Sequence, residues 1–276
     1  MPLPDALTSM NVSITGPVAE VTLLGPAPGN AMGPDFFREL PLVFGALDSA
    51  EDVRAIVVTG SGGQFTYGLD LQGMSPAFAP LLDGRATTAA RAAFLTEVRR
   101  LQAAITAVAD CRTPIVAAVS GWCVGGGVDL ITAADIRLAA AGARFSVREV
   151  RMAIVADLGS LQRLVGIVGD GHLRELALTG GDVDANRAER IGLVNRVYDD
   201  QPALLTGARE LAATIARNSP LVLRGIKDVL DAERGPRVEA GLRYVAAWNT
   251  AFLPSRDLGE AFSAFAERRE PRFSGT

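Results

Sequence analysis

The chain has 276 residues, 49% of them apolar, and a formal net charge of −4, enough for one large α/β domain with an ample core and no need of disulfide or metal staples. No apolar run reaches the roughly 20 residues of a membrane-spanning helix, and the interspersed charges form no basic stripe for nucleic acid or anionic lipid. Small-molecule chemistry is therefore the expectation. The single histidine, His172, beside Gly171, reads as a surface loop residue. Mechanisms that need several imidazoles for metal binding or base catalysis are disfavoured, so no metal is expected and carboxylates must do any acid–base work. Cys111 and Cys123 belong to no metal-binding or disulfide pattern and read as buried thiols. The start, Met1-Pro2-Leu3-Pro4-Asp5, has neither the basic residues nor the apolar run of a signal peptide, which makes a cytoplasmic location the default expectation.

In chain order, the alternation of Val12 and Ile14 with Ala19, Val21 and Leu23 around Gly16-Pro17 predicts a β-hairpin. Pro34 suits a first helical turn, with Phe36, Leu40, Val43 and Leu47 on one face, and Pro41 should bend that helix. The β-branched run from Ala55 to Thr59 ends in Gly60-Ser61-Gly62-Gly63, a buried strand leading into a loop. Phe94, Val98, Leu101, Ile105 and Val108 form the inner face of a helix that ends before Pro114. Ile115 to Val119 is a second buried strand that opens through Ser120-Gly121 into Gly125-Gly126-Gly127 and a helix. Ile136 to Ala140 is a third strand. Beyond about residue 158 the pattern turns helical, with helix starts at Ser219-Pro220 and at Ser255 with Asp257.

Glycines that end a buried strand and open a helix let a ligand approach backbone N–H groups at the positive end of the helix dipole. The spacing from Gly121 to Gly127 is not that of a dinucleotide fingerprint, which needs G-x-G-x-x-G. A serine-hydrolase elbow at Ser120 fails because Ala118 stands where glycine is required. A second glycine loop, Phe65-Thr66-Tyr67-Gly68-Leu69-Asp70-Leu71, follows the strand at 55–59.

Taken together, these loops resemble the crotonase family, also called the enoyl-CoA hydratase/isomerase family. The likeness covers nearly the whole chain: Asn30-Ala31-Met32, Gly68-Leu69-Asp70, Gly125-Gly126-Gly127-Val128-Asp129, Gln162-Arg163-Leu164, and the stretch 185–197 with Gly192-Leu193-Val194-Asn195-Arg196-Val197. It implies an α/β fold, a spiral of ββα repeats over residues 1–200, followed by a helical region over 201–276 used in trimer contacts. A homotrimer or dimer of trimers is expected. The resemblance also implies an acyl-coenzyme A thioester as substrate, with coenzyme A part of the substrate and no separate cofactor. The oxyanion-hole donors would be the backbone N–H groups of Leu69 and Gly126, with Asn30, Ala31, Met32, Tyr67, Gly68, Asp70 and Gly125 lining the substrate site. Family members often carry a basic residue before the Asn-Ala pair to meet the coenzyme A phosphates, whereas here the stretch reads Leu24-Gly25-Pro26-Ala27-Pro28-Gly29. Arg268 and Arg269 of a neighbouring subunit are the suggested substitutes.

The carboxylates separate the possible reactions. Hydratases of the family have glutamate where this chain has Asp129; their second glutamate matches Glu149; and Asp157 is an extra acid where hydratases commonly carry a small or apolar residue. The trio, and Tyr244-Val245-Ala246-Ala247-Trp248-Asn249, resemble the Δ3,5-Δ2,4-dienoyl-CoA isomerase branch. Moving a 3,5-diene to 2,4 removes a proton beside the thioester carbonyl and adds one at the far end, so a separated acid and base suit it, and two carboxyls in an apolar pocket push each other's pKa values apart. The alternatives are an enoyl-CoA hydratase using Asp129 and Glu149, and a non-catalytic acyl-CoA-binding protein of the same fold. In bland readings Asp157 caps the helix through Leu161 and Leu164, Glu149 is a solvated charge on an edge strand, and Asp129 merely complements a helix dipole. Eight residues on one helix would set Glu149 and Asp157 about 80° apart, so a shared substrate requires 150–156 to be a loop.

Overall fold

In a computed structural model, residues 2–4, 6–26, 29–82 and 86–276 are described. The hairpin is present: β1 (Met10–Thr15) and β2 (Val18–Leu23) pair antiparallel around Gly16-Pro17. α1 (Pro34–Ser49) follows and continues past Pro41 as a single helix, leading into β3 (Ala55–Gly60). A short α2 (Ser75–Phe78) and the long α3 (Thr88–Ala109) precede β4 (Ile115–Val119), β5 (Trp122–Val124), α4 (Gly126–Ala133), β6 (Ile136–Ala140) and β7 (Arg144–Ser146). A 3₁₀ turn (Glu149–Met152), α5 (Ser160–Thr179), β8 (Val183–Asp184), α6 (Ala185–Arg190) and β9 (Arg196–Tyr198) complete the α/β part. The helices α7 (Gln201–Ala216), α8 (Pro220–Phe252) and α9 (Arg256–Glu267) end the chain.

The main sheet has the order β1-β2-β3-β4-β6-β9, parallel from β2 onward. Every residue of β3 and β4 is buried, as expected of parallel strands covered on both faces. Alternation decides which face each side chain serves. Ile56, Val58, Ile115, Ala117 and Val119 join the larger core with Phe37, Leu40, Phe44 and Phe94 from α1 and α3. Ala55, Val57, Val116, Ala118 and Leu138 meet Leu204, Ala208, Ala212 and Ala216 of α7. The four-residue spacing of those α7 positions puts them on one face, so α7 belongs to the core by packing although it follows residue 200.

The helical pattern expected beyond residue 158 is interrupted by β8 and β9. These strands have two and three residues, too short to show a period, and only pairing with β7 and β6 makes them strands. His172, expected in a loop, lies on α5 with an exposed side chain. Gly171 does not end the helix; the break falls at Gly169, where φ is 78°.

The small sheet positions the site. β5 pairs with β7, and β7 with β8. The first glycine loop extends this layer, because Thr66 N–H donates to Trp122 O at 2.9 Å and Val124 N–H to Thr66 O at 3.1 Å. Beside it, Met32 N–H donates to Gly68 O at 2.8 Å and Asp70 N–H to Met32 O at 3.1 Å. β4 thus feeds the short strand β5, and β3 feeds a loop that makes isolated bridges from Thr66 to Cys123 of β5 and from Leu69 to Met32, an arrangement that sequence periodicity read only as a glycine-rich turn.

Candidate active site

Backbone contacts bring the two glycine loops together. Gly68 (φ 85°) is so close to the second loop that a Cβ there would lie 2.6 Å from Val124 O and 3.6 Å from Gly126 N; only glycine fits this conformation and this approach. Gly126 is the first residue of α4, so its N–H has no acceptor within its own helix. Among the described residues, neither the Leu69 nor the Gly126 N–H is taken by another protein acceptor. Met32, fully buried, spans both loops, with its sulfur 3.0 Å from where a Gly126 Cβ would stand. Two neighbouring free donors, one at a helix N-terminus, suit an oxygen on which negative charge develops.

The other residues expected to line the substrate divide by what their side chains hold. Asn30, at φ 54°, donates from Nδ2 to Ser61 O (3.0 Å) and Gln64 O (2.8 Å), and its Oδ1 accepts from Ser61 Oγ at 2.7 Å. Asp70 Oδ1 accepts from Gln72 N (3.1 Å) and Gly73 N (2.9 Å). Both side chains are engaged in holding their loops. Ala31 is half-buried and Tyr67 exposed. The stretch expected to meet the phosphates includes Ala27 and Pro28, which lie outside the described residues. Arg269, suggested as a substitute, is paired within the chain to Glu260 (2.5 Å) and Glu267 (2.5 Å).

The three acids converge. Glu149 is the first residue of the 3₁₀ turn rather than part of an edge strand. Its Oε1 lies 3.2 Å from where a Gly125 Cβ would stand, and its Oε2 is out of solvent reach with no hydrogen-bond partner among the described residues. Burial first, then the charges of Asp129 and Asp157, push its pKa up to about 8. The segment after Met152 leaves helical geometry at Ala153 (φ 55°), and α5 begins only at Ser160. Of the segment 150–156 expected to be a loop, 150–152 belong to the 3₁₀ turn and 153–156 follow a looped path, which breaks the single helix that would set the two acids apart. Asp157 does not cap α5, whose N-cap is Gly159. Instead, Asp157 Oδ2 accepts from Asn249 Nδ2 of α8 at 2.7 Å, while Gln102 Nε2 of α3 donates to the Asp157 carbonyl at 2.7 Å. Burial raises its pKa to about 7, the Asn249 donor opposing and the Asp129 charge adding to the rise.

Asp129 is 1% exposed and accepts the Ser160 N–H at 2.5 Å on Oδ1. Its carboxylate thus stands in the first turn of α4 and at the N-terminus of α5, two positive dipole ends that favour the anion. Burial raises its pKa, but the Ser160 hydrogen bonds and the Arg163 charge oppose the rise. Asp129 is therefore the member of the trio best kept ionised. Sequence reasoning missed Gln102 and Asn249 as supports of Asp157. Their helical spacing marks them as inner-face positions, but nothing local says that a polar side chain there meets a loop 55 residues away from Gln102 and 92 from Asn249.

The enoyl-CoA hydratase/isomerase family profile matches residues 13–276. The chain is 42% identical over 259 residues to the mitochondrial Delta(3,5)-Delta(2,4)-dienoyl-CoA isomerase of Dictyostelium discoideum, covering 93% of this chain and 87% of that protein. It is 44% identical over 245 residues to the peroxisomal Delta(3,5)-Delta(2,4)-dienoyl-CoA isomerase of Arabidopsis thaliana, covering 89% and 88%. Among solved structures, an enoyl-CoA hydratase/isomerase from Mycobacterium paratuberculosis superposes with a TM-score of 0.80 at 28% identity, covering 94% of this chain and 99% of that one. The protein belongs to the enoyl-CoA hydratase/isomerase family and has the crotonase fold.

Proposed function

We propose that the protein isomerises 3,5-dienoyl-CoA to 2,4-dienoyl-CoA. The observation that carries this reading is the separation of two buried carboxyls, Glu149 and Asp157, by a non-helical loop, with Glu149 placed against the glycine that precedes the Gly126 donor. Leu69 and Gly126 N–H groups hold the thioester oxygen as the enolate forms, where a rigid donor is worth about 3–4 kcal/mol. Glu149, beside that oxygen, takes the proton from C2. The electron pair runs along the diene, and Asp157 delivers a proton to C6. Burial and mutual repulsion raise the pKa values of both carboxyls, so the pair holds a proton in common, and the form that turns over is the one with Asp157 protonated and Glu149 ionised. The ionised Asp129 acts through charge.

A hydratase would need Asp129 and Glu149 to grip one water together, but the Oδ1 of Asp129 is held by Ser160. A protein that only bound acyl-CoA would gain nothing from burying three acids, which weighs against the non-catalytic alternative. The dienoyl-CoA isomerase names of the similar curated proteins support the same choice. Coenzyme A enters as part of the substrate, and the mechanism uses only side-chain carboxyls and backbone donors.

The assembly is proposed to be a homotrimer, or a dimer of trimers. Of the α9 residues Ala261, Phe262 and Phe265, which a lone subunit was expected to leave partly exposed, Ala261 and Phe262 pack within the chain, Phe262 against Phe78 at 5.5 Å between ring centroids, while Phe265 is 61% exposed. Further apolar surface is open on α8, where Leu221, Val222, Ile226, Val229 and Leu230 are 51% to 79% exposed. Light scattering at micromolar concentration should give at least three subunit masses; a monomer mass would contradict the assembly. The activity is tested by offering 3,5-dienoyl-CoA and 2-enoyl-CoA separately and following ultraviolet absorbance. Rapid turnover of the diene with slow or absent hydration of the enoyl thioester is expected; the reverse preference would overturn the assignment.

A further inference from the structure

We infer that Asn249, reaching in from α8, is a positioning residue that fixes the Asp157 carboxyl in the site and stabilises the carboxylate left when its proton is delivered. The inference rests on the reading of Asp157 as half of the proton-transfer pair. Asn249 is fully buried, and both hydrogens of its amide are used on one loop, to Val155 O at 2.8 Å and to Asp157 Oδ2 at 2.7 Å. A planar amide that donates to two points of the same loop fixes both the position and the rotation of the carboxyl it touches. Its Oδ1 is buried without a partner among the described residues, an uncompensated cost for a purely structural amide. A site that works on charge can sustain such a cost.

The contact is selective between protonation states. An N–H donor favours a carboxylate over a neutral carboxyl, and it opposes the other influences acting on Asp157. Burial and the Asp129 charge of α4 raise its pKa, and repulsion with Glu149 of the 3₁₀ turn acts between the same two groups. Arg163 of α5 acts on Asp129, and α3 presents the neutral Gln102, bonded to the Asp157 main chain. Asn249 is thus the side chain that draws Asp157 back toward ionisation. Without it the acid would hold its proton too firmly to deliver it to C6.

The test replaces Asn249 with Leu, which has the same branched heavy-atom skeleton but no donor, and with Asp, similar in shape but with an added acid. The Asp157 carboxyl is followed by ¹³C NMR titration of the aspartate-labelled protein, its resonance assigned by its absence in Asp157→Asn. The pH profile of kcat/KM with 3,5-dienoyl-CoA is measured in parallel. Losing a charge-assisted hydrogen bond should raise the Asp157 midpoint by about one to two pH units and carry the rate profile to higher pH, with kcat falling about tenfold or more. The Asn249→Asp variant should shift at least as far, and it keeps the test available should Asn249→Leu fail to fold. An unmoved Asp157 midpoint in a folded variant would overturn the inference, leaving Asn249 as packing. A nearly fully active Asp157→Asn would instead defeat the acid–base reading beneath it, a result distinguishable because the titration reads Asp157 without activity.

Discussion

The carboxyl of Glu149 rests against the Cα of Gly125, near enough that a methyl group added there would stand 3.2 Å from Oε1. Gly125 also sits at φ 53°, where a side chain is strained. Gly125→Ala should therefore displace Glu149 and disturb the loop that presents the Gly126 N–H. We expect stability to fall by about 1–2 kcal/mol and kcat by at least about tenfold, since small displacements of a catalytic group are expensive. Thermal melting and steady-state kinetics on the purified variant measure the two effects.

Gly126→Pro deletes one oxyanion donor while keeping a residue tolerated at the first position of a helix. The neighbour that must yield is the pliable Met32 side chain. The expected loss is about 10²–10³-fold in kcat with helical content preserved by circular dichroism. An unchanged kcat would remove Gly126 from the mechanism.

Asp129 raises the pKa values of both Glu149 and Asp157 by its charge. Asp129→Asn removes that charge and keeps an oxygen acceptor for the Ser160 N–H. The pH profile of kcat/KM should move to lower pH, opposite to the shift expected on losing Asn249, with a smaller loss of rate than either proton-transfer residue causes. A profile that stayed in place would show that the charge of Asp129 does not reach the pair.

Glu149 illustrates a stability cost tied to function. Its folded pKa, about 8, lies above the ordinary value of 4.5. The folded state thus binds this proton more tightly than the unfolded chain, and the stabilisation that the proton provides is full below the unfolded pKa and lost as pH rises toward the folded one. Glu149→Gln, which cannot ionise, should therefore melt higher than the parent at pH 9, and the advantage should fade as pH falls through about 5. Paired thermal melts across that range check it; an advantage that grew toward low pH would contradict a buried Glu149 whose pKa the fold raises.

Much of this arrangement is legible in the sequence because it depends on local signals. Strands β3 and β4 are continuous apolar runs bounded by glycine or proline, and Pro34, Pro220 and Ser255 mark helix starts where α1, α8 and α9 begin. The loop between Glu149 and α5 follows from requiring two acids eight residues apart to share one substrate. Long-range relations were not legible. Asp129 reads as a residue complementing its own helix, yet its carboxylate reaches the Ser160 N–H of the next one. Asp157 reads as a helix cap, yet its partner is Asn249, 92 positions away. β9 has too few residues to declare a period and exists through its pairing with β6. In each case the deciding contact is made by the fold, between segments whose local patterns are indifferent to it.

The assignment of Glu149 and Asp157 as a proton-transfer pair is tested most directly by the activity of Asp157→Asn toward 3,5-dienoyl-CoA, followed by the absorbance of the 2,4-dienoyl product. Asparagine keeps the size of the side chain and can still meet Asn249 through its own oxygen, but it cannot deliver a proton to C6. A loss of about 10²–10⁴-fold in kcat, with the fold and melting temperature retained, is the result expected of an essential acid. Near-normal isomerisation by the folded variant would contradict the account and remove Asp157 from the chemistry.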